Sequence, residues 1–283
     1  MNHNLKSMHD DYGIDFYILG ASEREFDRLD IQSVVFHDET LKTLKDAGIK
    51  PGMRCIDLGC GIGNVTRLMG SLVGRDGTVV GLDMNSEAIN IGNKKANEKT
   101  DYNNIKFVVG NVYDTQLDSS SFDFVFSRFL FQHLTEPKKA VSEMKRLASD
   151  TGSIISTMEA DHETWISYPY DPHLEKLRKS LVSLLCLSNS DPFIGRKLYE
   201  IFANCGLESN VSSYSVCIPM STKPHNLMGV KMAEILKDNI IKSELMSHDS
   251  YNSMLKGLVR YSNNTNNGLV GVMGFNVWAV KDN

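Results

Sequence analysis

Residues 55 to 64 read Cys-Ile-Asp-Leu-Gly-Cys-Gly-Ile-Gly-Asn, and no other stretch of the chain restricts its possible folds as tightly. An apolar run ending at Leu58, a turn through Gly59, Gly61 and Gly63, and a helical pattern from about Asn64 describe the first strand–turn–helix unit of a nucleotide-binding parallel sheet. Glycine suits such a turn because a side chain would fend off a ligand approaching the backbone. The turn also often requires a positive φ. A second apolar run, Val-Val-Gly-Leu, ends on Asp83, another acid placed where a sheet of this kind meets its ligand.

The spacing bears on which ligand the turn can hold. A dinucleotide fingerprint needs a glycine three positions after the second one, and counting from Gly61 that slot is Asn64. Asp57, two residues before the first glycine, would also set a carboxylate against a pyrophosphate at the helix N-terminus. Two anions in contact repel unless a cation intervenes. A ligand with an ammonium and a sulfonium, and no phosphate, removes the conflict, and S-adenosylmethionine is such a ligand. The run Asp57-x-Gly59-x-Gly61-x-Gly63 resembles motif I of the class I S-adenosylmethionine-dependent methyltransferases.

The resemblance implies an α/β, Rossmann-like sheet of seven strands in the order 3-2-1-4-5-7-6, the last strand antiparallel. It divides the chain into N-terminal cap helices over 1–48, a core over 49–221 and 267–283, and a helical lid over 222–266, in a single domain overall. Asp83 is similar to the family's ribose-binding acid, and Cys60 fills a small-residue slot of the glycine turn. Met84 is placed to lie on the adenine, although methionine is more often simply core. Asn111 takes the position of the residue at the adenine edge, and Val112 that of a backbone contact. The lead-in Tyr17-x-x-Gly20-x-Ser22-Glu23, with Arg28-Leu29 and Gln32 on a helix capped by Ser22, resembles a group of bacterial and archaeal members. It makes Tyr17, Arg28 and Gln32 candidate lid contacts to the cofactor. Arg28 has two readings, a partner for the cofactor's carboxylate or a surface ion pair with Asp27 or Glu25.

Bulk properties exclude some classes. The formal charge of -5 offers no electrostatic reason to expect nucleic acid. Five cysteines with no Cys-x-x-Cys pair indicate neither a disulfide framework nor a zinc ribbon, so no metal is expected. The N-terminal residues lack the apolar core of a signal peptide, and the apolar run near Leu181 to Leu187 is far short of a membrane span. A cytoplasmic protein without a membrane partner is the expectation. The methionines of the lid segment, Met228 and Met232 among them, suit either a lid or a homodimer face.

The acceptor end is read from two segments. Ser127-Arg128-Phe129-Leu130 follows strand four and lacks the Asn/Asp-Pro-Pro-aromatic pattern of enzymes that methylate nucleobase amines. Arg128 and Phe129 are candidate cofactor contacts, with Phe129 covering the methionine arm. His133 takes a position often filled by histidine in small-molecule members of the family. After strand five, Glu159-Ala-Asp161-His162-Glu163 gathers carboxylates and an imidazole at the carboxyl end of a central strand. His162 is the candidate base, with Asp161 or Glu159 orienting it and His133 in reserve. Trp165, Tyr168 and Tyr170 supply apolar surface for an organic substrate, or pack elsewhere. The expected activity is methyl transfer to a small organic acceptor by in-line displacement. The competing expectations are a methyltransferase acting on protein or RNA, a non-catalytic cofactor-binding partner subunit, and a nicotinamide enzyme, which Asn64 and Asp57 oppose.

Overall fold

The computed structural model describes residues 18–20, 22–98, 103–150 and 152–281. Tyr17 lies outside the described residues. Five parallel strands form the centre of the sheet: β1 (Arg54–Leu58), β2 (Thr78–Asp83), β3 (Ile105–Val109), β4 (Phe124–Arg128) and β5 (Ile154–Ala160). Beyond β5 the sheet continues with β8 (Gly268–Val280), antiparallel to β5, and then β7 (Ser209–Pro219), antiparallel to β8. Counted without one short extra strand, the order is the expected 3-2-1-4-5-7-6 with a reversed final strand.

The extra strand is β6 (Ile166–Tyr168), which the sequence did not announce. Its cause is a difference in length. β8 has 13 residues and β5 only 7, so the first residues of β8 extend past β5, and β6 pairs with them from Gly268 to Val270.

Side chains alternate across the sheet, as the strand period requires. Phe124 and Phe126 of β4 pack with Leu44, Met69 and Met158 on one face, while Val125 packs with Val141, Met144 and Phe202 on the other. Both phenylalanines are fully buried, and removal of each ring from water contributes about 1.5–3 kcal/mol. The first face carries α2 (His37–Ala47) and α3 (Asn64–Val73), and the second carries α5 (Pro137–Leu147) and α7 (Leu198–Asn204). α4 (Ser86–Asn97) packs on β2 and β3. Its N-cap is Asn85, whose side chain accepts from the amides of Glu87 and Ala88.

Over the carboxyl ends of the strands lies a helical layer drawn from three separate parts of the chain. α1 (Glu23–Val35) contacts α8 (Met228–Lys242), and α6 (Pro172–Leu187) contacts both α8 and α9 (His248–Asn263). Leu177, Leu181, Ala233, Leu236, Ile240, Tyr251 and Met254 are buried between them. Asn239 Nδ2 donates to the Ile18 carbonyl at 2.6 Å, which ties α8 to the lead-in segment. Met232, Met246 and Met254 are buried within this layer, and Met228 is half-buried.

Candidate active site

A cavity of about 790 Å³ runs beneath the helical layer, along the carboxyl ends of β1, β2, β4 and β5. Its floor at one end is the glycine turn. Gly59, Cys60 and Gly61 line it, with Gly59 at φ +70 and Gly61 at φ +53, a region that residues with a Cβ rarely adopt. Gly63 does not line the cavity, a correction to its expected cofactor contact. Its φ is +77 and an added Cβ would lie 2.3 Å from Phe107, so it serves the close packing of α3 on the sheet. Burial raises the Cys60 thiol well above its ordinary value, and its side chain packs beside Phe107 and Ile89.

Asp57 and Asp83 stand on either side of this turn. Asp57 is only 1% exposed and accepts from the Thr66 hydroxyl at 2.7 Å. It therefore sits inside the wall and not at an open lip, and burial pushes its carboxyl up to about 7. The Thr66 hydrogen bond and the Arg128 guanidinium act in the opposite direction. Asp83 accepts from the Gly61 amide at 2.8 Å and from the Asn85 amide at 2.9 Å, which holds its carboxylate against the turn. Burial raises its pKa also. Each carboxylate oxygen has two acceptor directions, so Asp83 retains capacity for a pair of hydroxyls.

The rest of the expected cofactor set is distributed around the same cavity. Met84 is 48% exposed and lines it beside Asn111 and Val112. Asn111 Oδ1 accepts from the Tyr113 amide at 2.9 Å. Arg128 lines the wall and donates to Thr40 Oγ1 at 2.8 Å, and burial brings its guanidinium down to about 10. Phe129 adopts φ 55, a strained value for a residue with a Cβ, and packs edge-on to Phe36 at 4.9 Å. Arg28 is not on the surface. It is 2% exposed, lines the cavity, and pairs through Nε and Nη2 with both oxygens of Glu25, each at 2.7 Å, while Nη1 donates to Gln32. Two carboxylates at the glycine turn, a backbone bared by glycine, and no lysine or arginine on the turn itself fit a cationic adenosyl ligand.

The loop after β5 departs from expectation. β5 runs two residues further than the sequence suggested, to Ala160, so Glu159 lies in a strand and not in a loop. Because Met158 and Ala160 pack in the core of the face that carries α2 and α3, the strand period turns Glu159 to the opposite face. There its Oε1 accepts from the amides of Leu130 and Phe131 at 2.6 and 2.7 Å, and burial lifts the carboxyl to about 8. Asp161 is 1% exposed and forms a two-pronged ion pair with Arg196, which also reaches Glu163 at 2.8 Å. Neither acid orients His162. Gln132, which the sequence reading overlooked, does so: its Oε1 lies 2.6 Å from His162 Nε2.

His162 lines the cavity and is 8% exposed, and burial lowers its pKa to about 4. His133 lines it as well, and is lowered to about 3 by burial, with the charges of His162 and Arg28 adding to the effect. Of the three aromatics after β5, only Trp165 borders the cavity. Tyr168 and Tyr170 are 80% and 71% exposed, because β6 carries them to the outer edge of the sheet. Beyond the histidines the wall is apolar: Leu174, Leu181 and Leu185 of α6, Met228 and Met232 of α8, and Ile218 and Val272 from the sheet. The leucine spacing of α6 signals a buried face, but nothing local to that helix tells what it faces.

Known proteins agree with this geometry. The family described as "Methyltransferase domain" matches residues 49–206, more than half of the chain. A demethylmenaquinone methyltransferase of Staphylococcus aureus is 29% identical over 114 residues, 40% of this chain and 46% of that one. Phosphoethanolamine N-methyltransferase 2 of Caenorhabditis elegans is 32% identical over 123 residues, 43% of this chain and 28% of that one. The matched stretch thus spans less than half the length of either relative. Among solved structures, phosphoethanolamine N-methyltransferase 2 of Haemonchus contortus in complex with S-adenosyl-L-methionine superimposes with a TM-score of 0.57 at 18% identity, covering 99% of this chain and 60% of that one. At that identity the likeness shows the fold. Among the described residues no helix is long and apolar enough to cross a membrane. With the sheet order, the glycine turn between two acids and the family match in agreement, this chain belongs to the methyltransferase-domain family.

Proposed function

We propose that this chain is an S-adenosylmethionine-dependent methyltransferase whose acceptor is a small, largely apolar organic molecule, methylated by in-line displacement inside the cavity beneath the helical layer. One observation carries this reading: the cavity is continuous from Asp83 and Asn111 at the cofactor end to Trp165, Leu174, Leu181, Leu185, Met228 and Met232 at the other. A wall of that composition suits an organic molecule that binds mainly by desolvation. A protein or RNA acceptor would call for an open, charged rim. The two sequence relatives are named for demethylmenaquinone and phosphoethanolamine, both small molecules.

Bound S-adenosylmethionine supplies a methyl group already activated by the sulfonium charge. The work left to this chain is to align the acceptor and keep the site dry, and approximation of that kind supplies much of the rate. In this reading the turn residues and Asp83 hold the adenosyl half, Asn111 and Met84 its base, and Arg28 and Gln32 the lid side of the site. α1, α6, α8 and α9 act together as the lid. His162, neutral at pH 7, accepts a proton where the acceptor has one to lose.

The test is incubation of the protein and labelled S-adenosylmethionine with a metabolite extract. Labelled small molecules one methylene heavier than their precursors are expected. Label transferred only to protein or RNA would overturn the reading. His162→Ala is expected to slow this transfer while leaving cofactor affinity intact, and full activity would retire His162 as the proton acceptor.

A further inference from the structure

Arg128 is the last residue of β4 and borders the cavity. Its Nη1 donates to Thr40 Oγ1 at 2.8 Å, while Nε and Nη2 meet no acceptor among the described residues. Neither of these two nitrogens is among the chain's sealed polar atoms, so both keep accessible surface, on a half-buried side chain in the cavity wall. Cζ stands 5.4 Å from the centroid of the Phe129 ring, which covers part of the guanidinium.

Five other arginines use that same edge of the guanidinium. Arg28 on Glu25, Arg54 on Asp123, Arg146 on Glu143, Arg178 on Glu175 and Arg196 on Asp161 each direct Nε and Nη2 at the two oxygens of one carboxylate. The two N–H groups there are parallel and match the spacing of a carboxylate. On Arg128 the edge has no carboxylate partner among the described residues. Charge narrows what could complete it. Burial lowers the guanidinium only to about 10, so it is charged at pH 7, and a buried charge is costly without a partner. Asp57 and Asp83 border the same cavity, and Arg28 is already offset by Glu25. A phosphate dianion would set two charges against one guanidinium with two carboxylates nearby, whereas a single carboxylate balances it.

We infer that the Nε–Nη2 edge of Arg128 is a carboxylate-recognition subsite of the cavity, filled by the α-carboxylate of the cofactor's methionine arm or by the acid group of an acidic acceptor. Arg28, the other arginine in the wall, has its equivalent edge on Glu25 and does not compete for this role. The inference rests on the reading of the cavity as a site for S-adenosylmethionine and a small acceptor.

The test is calorimetry on the full-length protein with two matched pairs of probes. S-adenosylhomocysteine and its decarboxylated form differ only in the α-carboxylate. 2-Naphthoate and neutral 2-naphthamide, offered to protein loaded with S-adenosylhomocysteine, stand for an acidic acceptor and its uncharged counterpart. One pair should favour the carboxylate by at least about tenfold. A preference in the first pair assigns the subsite to the cofactor, and one in the second pair assigns it to the acceptor. In Arg128→Gln the preference should collapse while the probe without a carboxylate keeps its affinity, which reports an intact pocket. Arg128→Lys keeps a cation without the paired N–H groups and should restore only part of it. No preference in either pair in the unmodified protein, or a preference that survives Arg128→Gln, would overturn the subsite and leave the S-adenosylmethionine reading standing. Failure of the unmodified protein to bind S-adenosylhomocysteine would overturn that reading and the subsite with it.

Discussion

The Asp57 carboxyl accepts a 2.7 Å hydrogen bond from the Thr66 hydroxyl, and both side chains are buried against the glycine turn. Burial outweighs that single bond and lifts the carboxyl to about 7, so near neutral pH the group is divided between its two forms. A cationic ligand favours the ionised form, and its binding must therefore release a proton below pH 7. Affinity for S-adenosylmethionine should rise with pH and level off above about 7. Calorimetry at pH 6 in buffers of different ionisation enthalpy should detect the released proton. Asp57→Asn should bind more weakly and lose the pH dependence, and an unchanged profile in that variant would assign the effect elsewhere.

Asp83 lines the cavity and is held by the amides of Gly61 and Asn85. Asp83→Ala should weaken S-adenosylmethionine binding by at least about tenfold, or 1.4 kcal/mol. Equal affinity in titration would remove the ribose assignment.

Glu159 has a folded pKa of about 8, raised by burial above its ordinary value. The sign follows directly. Between the unfolded and folded pKa values the unfolded chain has already lost the proton that the folded chain keeps, so stability falls as pH rises through that window. Glu159→Gln resembles the protonated acid and should match the unmodified protein near pH 5. By pH 9 it should be more stable, by roughly 2 kcal/mol or several degrees in melting temperature. Parallel melting curves from pH 5 to 9 would contradict the raised value.

Gly63 combines a positive φ with contact against Phe107. Gly63→Ala should cost roughly 2–4 kcal/mol, from left-handed strain together with overpacking. Gly52→Ala has the same kind of φ, +83, but open space around it, and should cost less. Thermal denaturation of the two variants side by side checks the difference.

Asn239 joins α8 to the lead-in through its 2.6 Å bond to the Ile18 carbonyl. Asn239→Ala should cost about 1 kcal/mol and speed amide exchange at the start of α1. Exchange confined to its former rate would show that this bond does not tie the lead-in to the helical layer.

Much of the sheet was legible before any coordinates. Asp57, the three glycines and Asp83 obey local rules, since strand period, turn conformation and helix start are written within a few residues of one another. The helical layer was less legible. Leu174, Leu177, Leu181, Leu184 and Leu185 declare a buried stripe on α6, yet its partners on α8 and α9 lie far along the chain. Trp165, Tyr168 and Tyr170 look equivalent in sequence, and the pairing of β6 with β8 separates one pocket residue from two exposed ones. The acidic run after β5 was misread for a similar reason: two more residues of strand turned Glu159 away, and Arg196, 35 positions on, claimed Asp161.

By itself the order of residues determined the kind of sheet, the place of its ligand turn and the sign of charge beside it, because each depends on backbone freedom and side-chain type over a short span. Tertiary structure alone decided which side chains line the far end of the cavity. The contact between Gln132 and His162, and the ring contact of His162 with Trp165, arise where the segments after β4 and β5 meet beneath a separate helical layer. Hydrogen-bond partners across such a junction are chosen by distance in space, which separation along the chain does not encode.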